Sequence, residues 1–170
     1  VSVANRPEGR VLYGAALRQV GGSVDIDGAD FRGATHQTIV ADGGTLRLAS
    51  LRVDAVVPNA PSTDMLSFRE DSDVTIEGAH VQGRGVVFSV HDAAQFTLRD
   101  ALVQALDSTT GFREQIAIAL VNSPAMLERV VVDGGDQGVL AQGPFDFDVV
   151  LPGDPEPPPA PDPDPVLLTV

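Results

Sequence analysis

Three residues spaced 22 and 29 apart, Glu77, Arg99 and Glu128, offer a base between two carboxylates. Paired carboxylates can do general acid–base work or hold a calcium ion. An arginine between them neutralises both, and with a pKa above about 12 it is a poor proton acceptor. The trio therefore reads as a weak catalytic candidate and more simply as an ion-pair ladder. The histidines His36, His80 and His91 stand at no metal-ligand spacing with one another, so no metal site is expected. Asp133-Gly134-Gly135-Asp136 is a single glycine–aspartate turn, not an array of calcium-binding repeats. Exposed rings on which a sugar could stack are few, Phe112 and Tyr13 being the candidates. Phe112, Arg113 and Asp64 form the expected ligand-binding set, because all three fall in two inserted segments described below.

These side chains need a scaffold, and the chain spells one out five times. The sets are Val24, Ile26, Ala29, Phe31; Leu46, Leu48, Leu51, Val53; Val74, Ile76, Ala79, Val81; Phe96, Leu98, Ala101, Val103; and Ala125, Leu127, Val130, Val132. Each has the form apolar, x, apolar, x, x, apolar, x, apolar. Period-two alternation on either side of a break predicts two short strands meeting at a corner. Helical spacing does not fit, since a helix needs apolar residues at three- and four-residue steps. The sets begin 22, 28, 22 and 29 residues apart, a self-similarity that predicts a β-solenoid.

A third strand is expected before each later set: Thr38–Ala41, Met65–Phe68, Val86–Val90 and Ile116–Leu120, with Val139–Ala141 as the last. Each of the first four ends in a turn, at Asp42-Gly43-Gly44, Glu70-Asp71-Ser72, His91-Asp92-Ala93 and Val121-Asn122-Ser123. Asx side chains bond their own backbone in such turns and glycine supplies positive φ. Three strands per coil with these turns resemble the right-handed parallel β-helix of pectate-lyase-like proteins, over roughly residues 10 to 142. The resemblance implies an all-β solenoid of about six coils. Enzymes of that class generally use acidic calcium ligands with a basic residue that takes the proton next to a uronate, or, in polygalacturonase-like relatives, a cluster of aspartates. Neither motif is present here.

Stacking places equivalent outward residues about 4.8 Å apart. Asp25 is expected beside Arg47; Asp30 before Arg52 and then His80; Arg32 beside Asp54; and Glu77, Arg99 and Glu128 in one row. Alternating signs along a row predict cross-strand pairing worth roughly 0.2–1 kcal/mol per pair. The insertions, Val56–Asp64 and Asp107–Glu114, fall two sets apart at the same place in the pattern. They should project from one side, where repeat proteins often build a binding face.

Composition narrows the function. The net charge of −13 argues against a nucleic-acid partner, which needs a basic footprint. No apolar run approaches the roughly 20 residues of a membrane span, so no membrane insertion is expected. Without cysteine there is no disulfide or thiol chemistry, and the eleven bases, all arginine, reflect genomic composition.

Residues 1–23 are expected to be a lead-in and capping coil, irregular over Val1–Arg10, with Ala15-Ala16-Leu17-Arg18 readable as a short capping helix. Residues 24–151 carry the coils and a C-terminal cap. There Pro144–Leu151 alternates but fits no repeat position, as an edge strand or cap would. Residues 152–170 form an acidic, proline-rich linker or tail. The missing initiator methionine and the apolar Val166–Val170 suggest a piece of a longer protein. The expected function is a non-catalytic module of an extracellular or cell-envelope protein. It would act as a rigid spacer, an adhesive or a carbohydrate-binding unit, with a polysaccharide or a cell-surface protein as partner and no required cofactor. The competing expectation is a polysaccharide lyase or glycoside hydrolase of the pectate-lyase-like class, or a fragment of one, with calcium as the cofactor to consider.

Overall fold

The computed structural model describes residues 2–4, 15–33, 37–55, 64–106, 115–143 and 147–150, the first and last of these as backbone only. Among them the chain is all strand, with no helix, and alternates between two sheets. The first sheet holds β1 (Ser2–Ala4), β3 (Ser23–Arg32), β5 (Thr45–Asp54), β7 (Asp73–Gly83), β9 (Gln95–Ala105), β11 (Ala125–Gly134) and β13 (Phe147–Val150), in that order. The second holds β2 (Leu17–Val20), β4 (Ile39–Asp42), β6 (Leu66–Arg69), β8 (Val86–His91), β10 (Ile116–Val121) and β12 (Gln137–Gln142), also in sequence order. Every pairing in both sheets is parallel.

The register follows the apolar sets. Val24 pairs with Leu46, Leu46 with Val74, Val74 with Phe96 and Phe96 with Ala125. Alternation then sends Val74, Ile76, Ala79 and Val81 of β7 inward and leaves Thr75, Glu77 and His80 at the surface. The core lies between the sheets. Phe68 and Phe88 from the second sheet meet Phe96 from the first, with ring centroids 5.8 Å (Phe68–Phe96) and 5.9 Å (Phe88–Phe96) apart. Each fully buried Leu, Ile or Phe contributes roughly 1.5–3 kcal/mol.

The break in each set is one left-handed residue. Gly28, Ser50, Gly78, Asp100 and Arg129 occupy equivalent places, with φ of 72°, 53°, 65°, 51° and 52°. That single residue shifts the alternation by one, so both halves of a long strand keep their apolar side inward. A second such row closes the strands of the second sheet: Gly21, Gly43, Glu70, Asp92, Asn122 and Gly143 all have positive φ. Asn122 Nδ2 donates to Asp92 Oδ1 at 3.2 Å, an amide step between turns.

Three expectations about the ends are corrected. Ala15–Arg18 is not a capping helix; from Leu17 the chain is strand β2, paired Leu17 to Ile39. Alanine, leucine and arginine are good helix formers, but intrinsic propensity is worth less than about 1 kcal/mol per residue and pairing at a sheet edge overrides it. Val1–Arg10 is not wholly irregular, because Ser2–Ala4 pairs with Asp30–Arg32. Phe147–Val150 does fit the pattern: Phe147 pairs with Ala125 and Val149 with Leu127, as an edge strand.

Candidate functional site

Glu77 on β7, Arg99 on β9 and Glu128 on β11 are successive register partners on the outer face of the first sheet. Each sits one residue before the left-handed corner. Arg99 Nη1 lies 3.4 Å from Glu77 Oε1, and its Nε 2.8 Å from Glu128 Oε2. The Nε–H does not point along that contact and has no hydrogen-bond partner, so the interaction with Glu128 is an ion pair. Arg99 Nη2 reaches Met126 Sδ at 3.5 Å.

The corner row extends the ladder. Arg129 grips Asp100 with two hydrogen bonds, Nε to Oδ1 at 2.6 Å and Nη2 to Oδ2 at 2.8 Å, and also pairs with Glu128. Three carboxylates and two guanidiniums thus form one surface network. The hydrogen bonds from Arg129 hold the Asp100 carboxyl below its ordinary value, and the Asp100 and Glu128 carboxylates hold Arg129 above its own. An acid so held stays ionised and cannot donate a proton near neutrality. Two strand spacings, on the order of 9.6 Å, separate the backbones of Glu77 and Glu128, and Arg99 stands between them in register and pairs with both.

The other predicted rows are in register, and Arg32 adds a pair along its own strand. Asp30 aligns with Arg52 and Arg32 with Asp54. Arg32, however, bonds Asp30 on its own strand, Nη2 to Oδ2 at 2.6 Å, which lowers the Asp30 carboxyl and raises the guanidinium. Two residues apart on one strand face is within the reach of an arginine. His80 Nε2 lies 3.0 Å from Gln104 Oε1, and Gln104 Nε2 donates to Asp133 Oδ2 at 3.0 Å. His91 ends β8 beside Arg69 and Val121, and the Asp92 that follows it accepts from Asn122 as described above.

The described ends of the two insertions flank one tight turn, Gln82 to Val86. Ala55 N donates to Gln82 O and Met65 N to Val86 O on one side; Leu106 N donates to Gly83 O and Ile116 N to Gly85 O on the other. The insertions therefore leave and rejoin the sheets on either side of the same turn. A Cβ at Gly83 would fall on Met65 Sδ, so a larger residue there would push the methionine side chain aside. Gln115, buried, accepts the Gly85 N–H through Oε1 at 2.5 Å, and its own N–H donates to Asp136 Oδ2 at 2.9 Å. Of the expected ligand set, Asp64 closes the first insertion and accepts from Ser89 Oγ at 3.2 Å. Phe112 and Arg113 lie outside the described residues, as do Tyr13, His36 and the tail.

Arg84 is the residue that sequence reasoning passed over. It stands half-buried at the centre of this turn, with Nε shut from solvent and without a hydrogen-bond partner. The signal was its setting, Gly83-Arg84-Gly85, the one connection of its kind between two long ones. Among the described residues no group of three or more His, Asp or Glu converges as metal ligands would, and no helix is long and apolar enough to cross a membrane. No known protein family, characterised protein or solved structure matches this chain.

Proposed function

We propose that the chain is a right-handed parallel β-helix of about six coils, resembling pectate-lyase-like proteins. On this reading it serves as a non-catalytic module of an extracellular or envelope protein. It acts as a rigid support that presents a binding corner to a polysaccharide or a cell-surface protein. The observation that carries this reading is the closed ladder: Glu77, Glu128 and Asp100 are each held by Arg99 or Arg129. The acids best spaced for catalysis are thereby committed to the scaffold. The binding corner is Arg84 with Asp64 and the two insertions, a place where an unpaired guanidinium could take a carboxylate or hydroxyl of a ligand.

The test is a panel of acidic and neutral polysaccharides, with calcium and with chelator, scored for retention and for cleavage. Retention without cleavage, weakened by Arg84→Ala in a normally folded variant, supports the module. Calcium-dependent release of unsaturated uronides would overturn it in favour of a lyase.

A further inference from the structure

The chain has no cysteine and two methionines, so sulfur oxidation is confined to Met65 and Met126. The two stand in opposite settings. Met65 is 3% exposed and belongs to the shared core, its sulfur lying where a Cβ on Gly83 would fall. Met126 on β11 pairs in register with Thr97 and sits between inward Ala125 and Leu127. Its side chain is therefore on the outer face of the first sheet, half-buried. There Met126 Sδ lies 3.5 Å from Nη2 of Arg99, the arginine between Glu77 and Glu128. A thioether is a weak acceptor, and Nη2 makes no other hydrogen bond among the described residues.

We propose that Met126 is a site of oxidation by peroxide and that its sulfoxide is held by the Arg99 guanidinium. The sulfur lone pair attacks one oxygen of hydrogen peroxide. The O–O bond breaks as the S–O bond forms, and the proton on the transferred oxygen passes to the departing one, which leaves as water. The sulfur is oxidised by two electrons and the peroxide is reduced by two. A polar group then replaces an apolar one. In a core that change is disruptive, but this face of β11 is already polar, with Glu128 next on the same side. The sulfoxide oxygen is a better acceptor than the thioether. A sulfur 3.5 Å from Nη2 brings it within reach of that donor after a turn about the last side-chain bonds. The resulting hydrogen bond, from a guanidinium, is charge-assisted.

The ladder yields at its longer step. Arg99 Nη1 stands 3.4 Å from Glu77 Oε1, against 2.8 Å between Nε and Glu128 Oε2. A guanidinium drawn toward Met126 on β11 moves away from β7 and loosens Glu77 first. Oxidation thus releases a carboxylate on a face where all three acids of the row are otherwise held. This inference rests on the Met126–Arg99 contact and not on the polysaccharide-binding reading.

Hydrogen peroxide added to the folded 170-residue chain, followed by tryptic peptide mass mapping, tests the oxidation. Cleavage at arginine separates Met65, in residues 53–69, from Met126, in residues 114–129. The Met126 peptide should gain one oxygen on the order of tenfold faster than the Met65 peptide, because Met65 must wait for local unfolding. In denaturant the two rates should match. Arginine side-chain N–H resonances in an NMR spectrum test the capture. The Arg99 signal, assigned by its loss in Arg99→Ala, should shift when the wild type is oxidised and stay in place when Met126→Leu is treated the same way. Three outcomes would each overturn the proposal: Met65 and Met126 oxidising together in the folded chain, Met126 resisting peroxide until the chain unfolds, or an Arg99 signal unmoved by the sulfoxide. Circular dichroism melts matching the wild type establish that the variants are folded.

Discussion

The two sheets share one core yet treat their other faces differently. On β7 and β9 the residues opposite the core are mostly polar (threonine, glutamate, arginine, histidine and glutamine, with Leu102 among them), exposed or half-buried. On β8 and β10 consecutive residues are buried: Val87 to Val90, and Ile116 to Leu120. Ser67 and Ser89 are register partners that alternate with core phenylalanines, and they are 0% and 1% exposed. A parallel strand buried on both faces reads as a near-continuous apolar run, and one buried on a single face alternates. The first sheet can therefore carry charges and absorb changes to them, whereas the second has little tolerance on either side.

The sharpest break of this contrast is a charge in the shared core. Ile76→Asp or Leu98→Asp puts an unpaired carboxylate where the wild-type side chain is 0% exposed. Either variant should lose the cooperative melt altogether, and Leu98→Ala should cost about 2–5 kcal/mol in a denaturant titration. A soluble, cooperative aspartate variant would overturn the inward assignment.

Next comes the matched pair Ser89→Leu and Thr75→Leu. Overfilling a closed face costs about 1–3 kcal/mol, and an exposed-face change stays within about 0.5 kcal/mol. Ser89→Leu should therefore destabilise clearly more than Thr75→Leu. Equal effects would erase the difference between the sheets.

Smaller still is Arg99→Ala. The side chain is 37% exposed, and the pairs it makes belong to the class worth about 0.2–1 kcal/mol. The loss should shrink in high salt, and a salt-independent loss of several kcal/mol would mean that Arg99 does more than pair.

The smallest effect is on pH dependence. The Asp30 and Asp100 carboxyls are lowered by Arg32 and Arg129. Their contribution is present above the ordinary carboxylate value and is lost as pH falls through the lowered one. Asp100→Asn should therefore melt slightly below wild type at pH 7, and the gap should close in strong acid. A gap that widens on acidification would contradict the assigned direction.

What the sequence disclosed depended on how much pattern each element carried. The five long strands each have four apolar positions, enough to fix strand, face and register, and the pairs Val24–Leu46 through Phe96–Ala125 align accordingly. The end strands carry too little. Ser2–Ala4 is only three residues long and Leu17–Val20 sits next to a helix-favouring Ala-Ala; both become strands because a neighbour offers an edge. The Glu77–Arg99–Glu128 row was legible because it lies on regular strand. The Asp100–Arg129 pair was not, since it lies on the left-handed corners, where strand alternation assigns no direction. Arg32 with Asp30 was missed for a different reason. Register names cross-strand neighbours but not the pair an arginine can also make two residues back along its own strand.

Every strand pairing joins residues of similar sequence separation, from 21 between Ile116 and Gln137 to 30 between Val86 and Ile116. Loop-closure entropy grows as the logarithm of length, so the shortest and longest of these loops differ by only about 0.3 kcal/mol. Parallel sheets are ordinarily slow to form because their partners are distant in the chain. Here no partner is distant. Once any two neighbouring layers have formed, each further layer is added at nearly constant entropic cost and returns a similar stretch of core. Folding can start anywhere along the stack and run outward, and among the described strands β1 and β13, paired over only three and four residues, should be the first to detach.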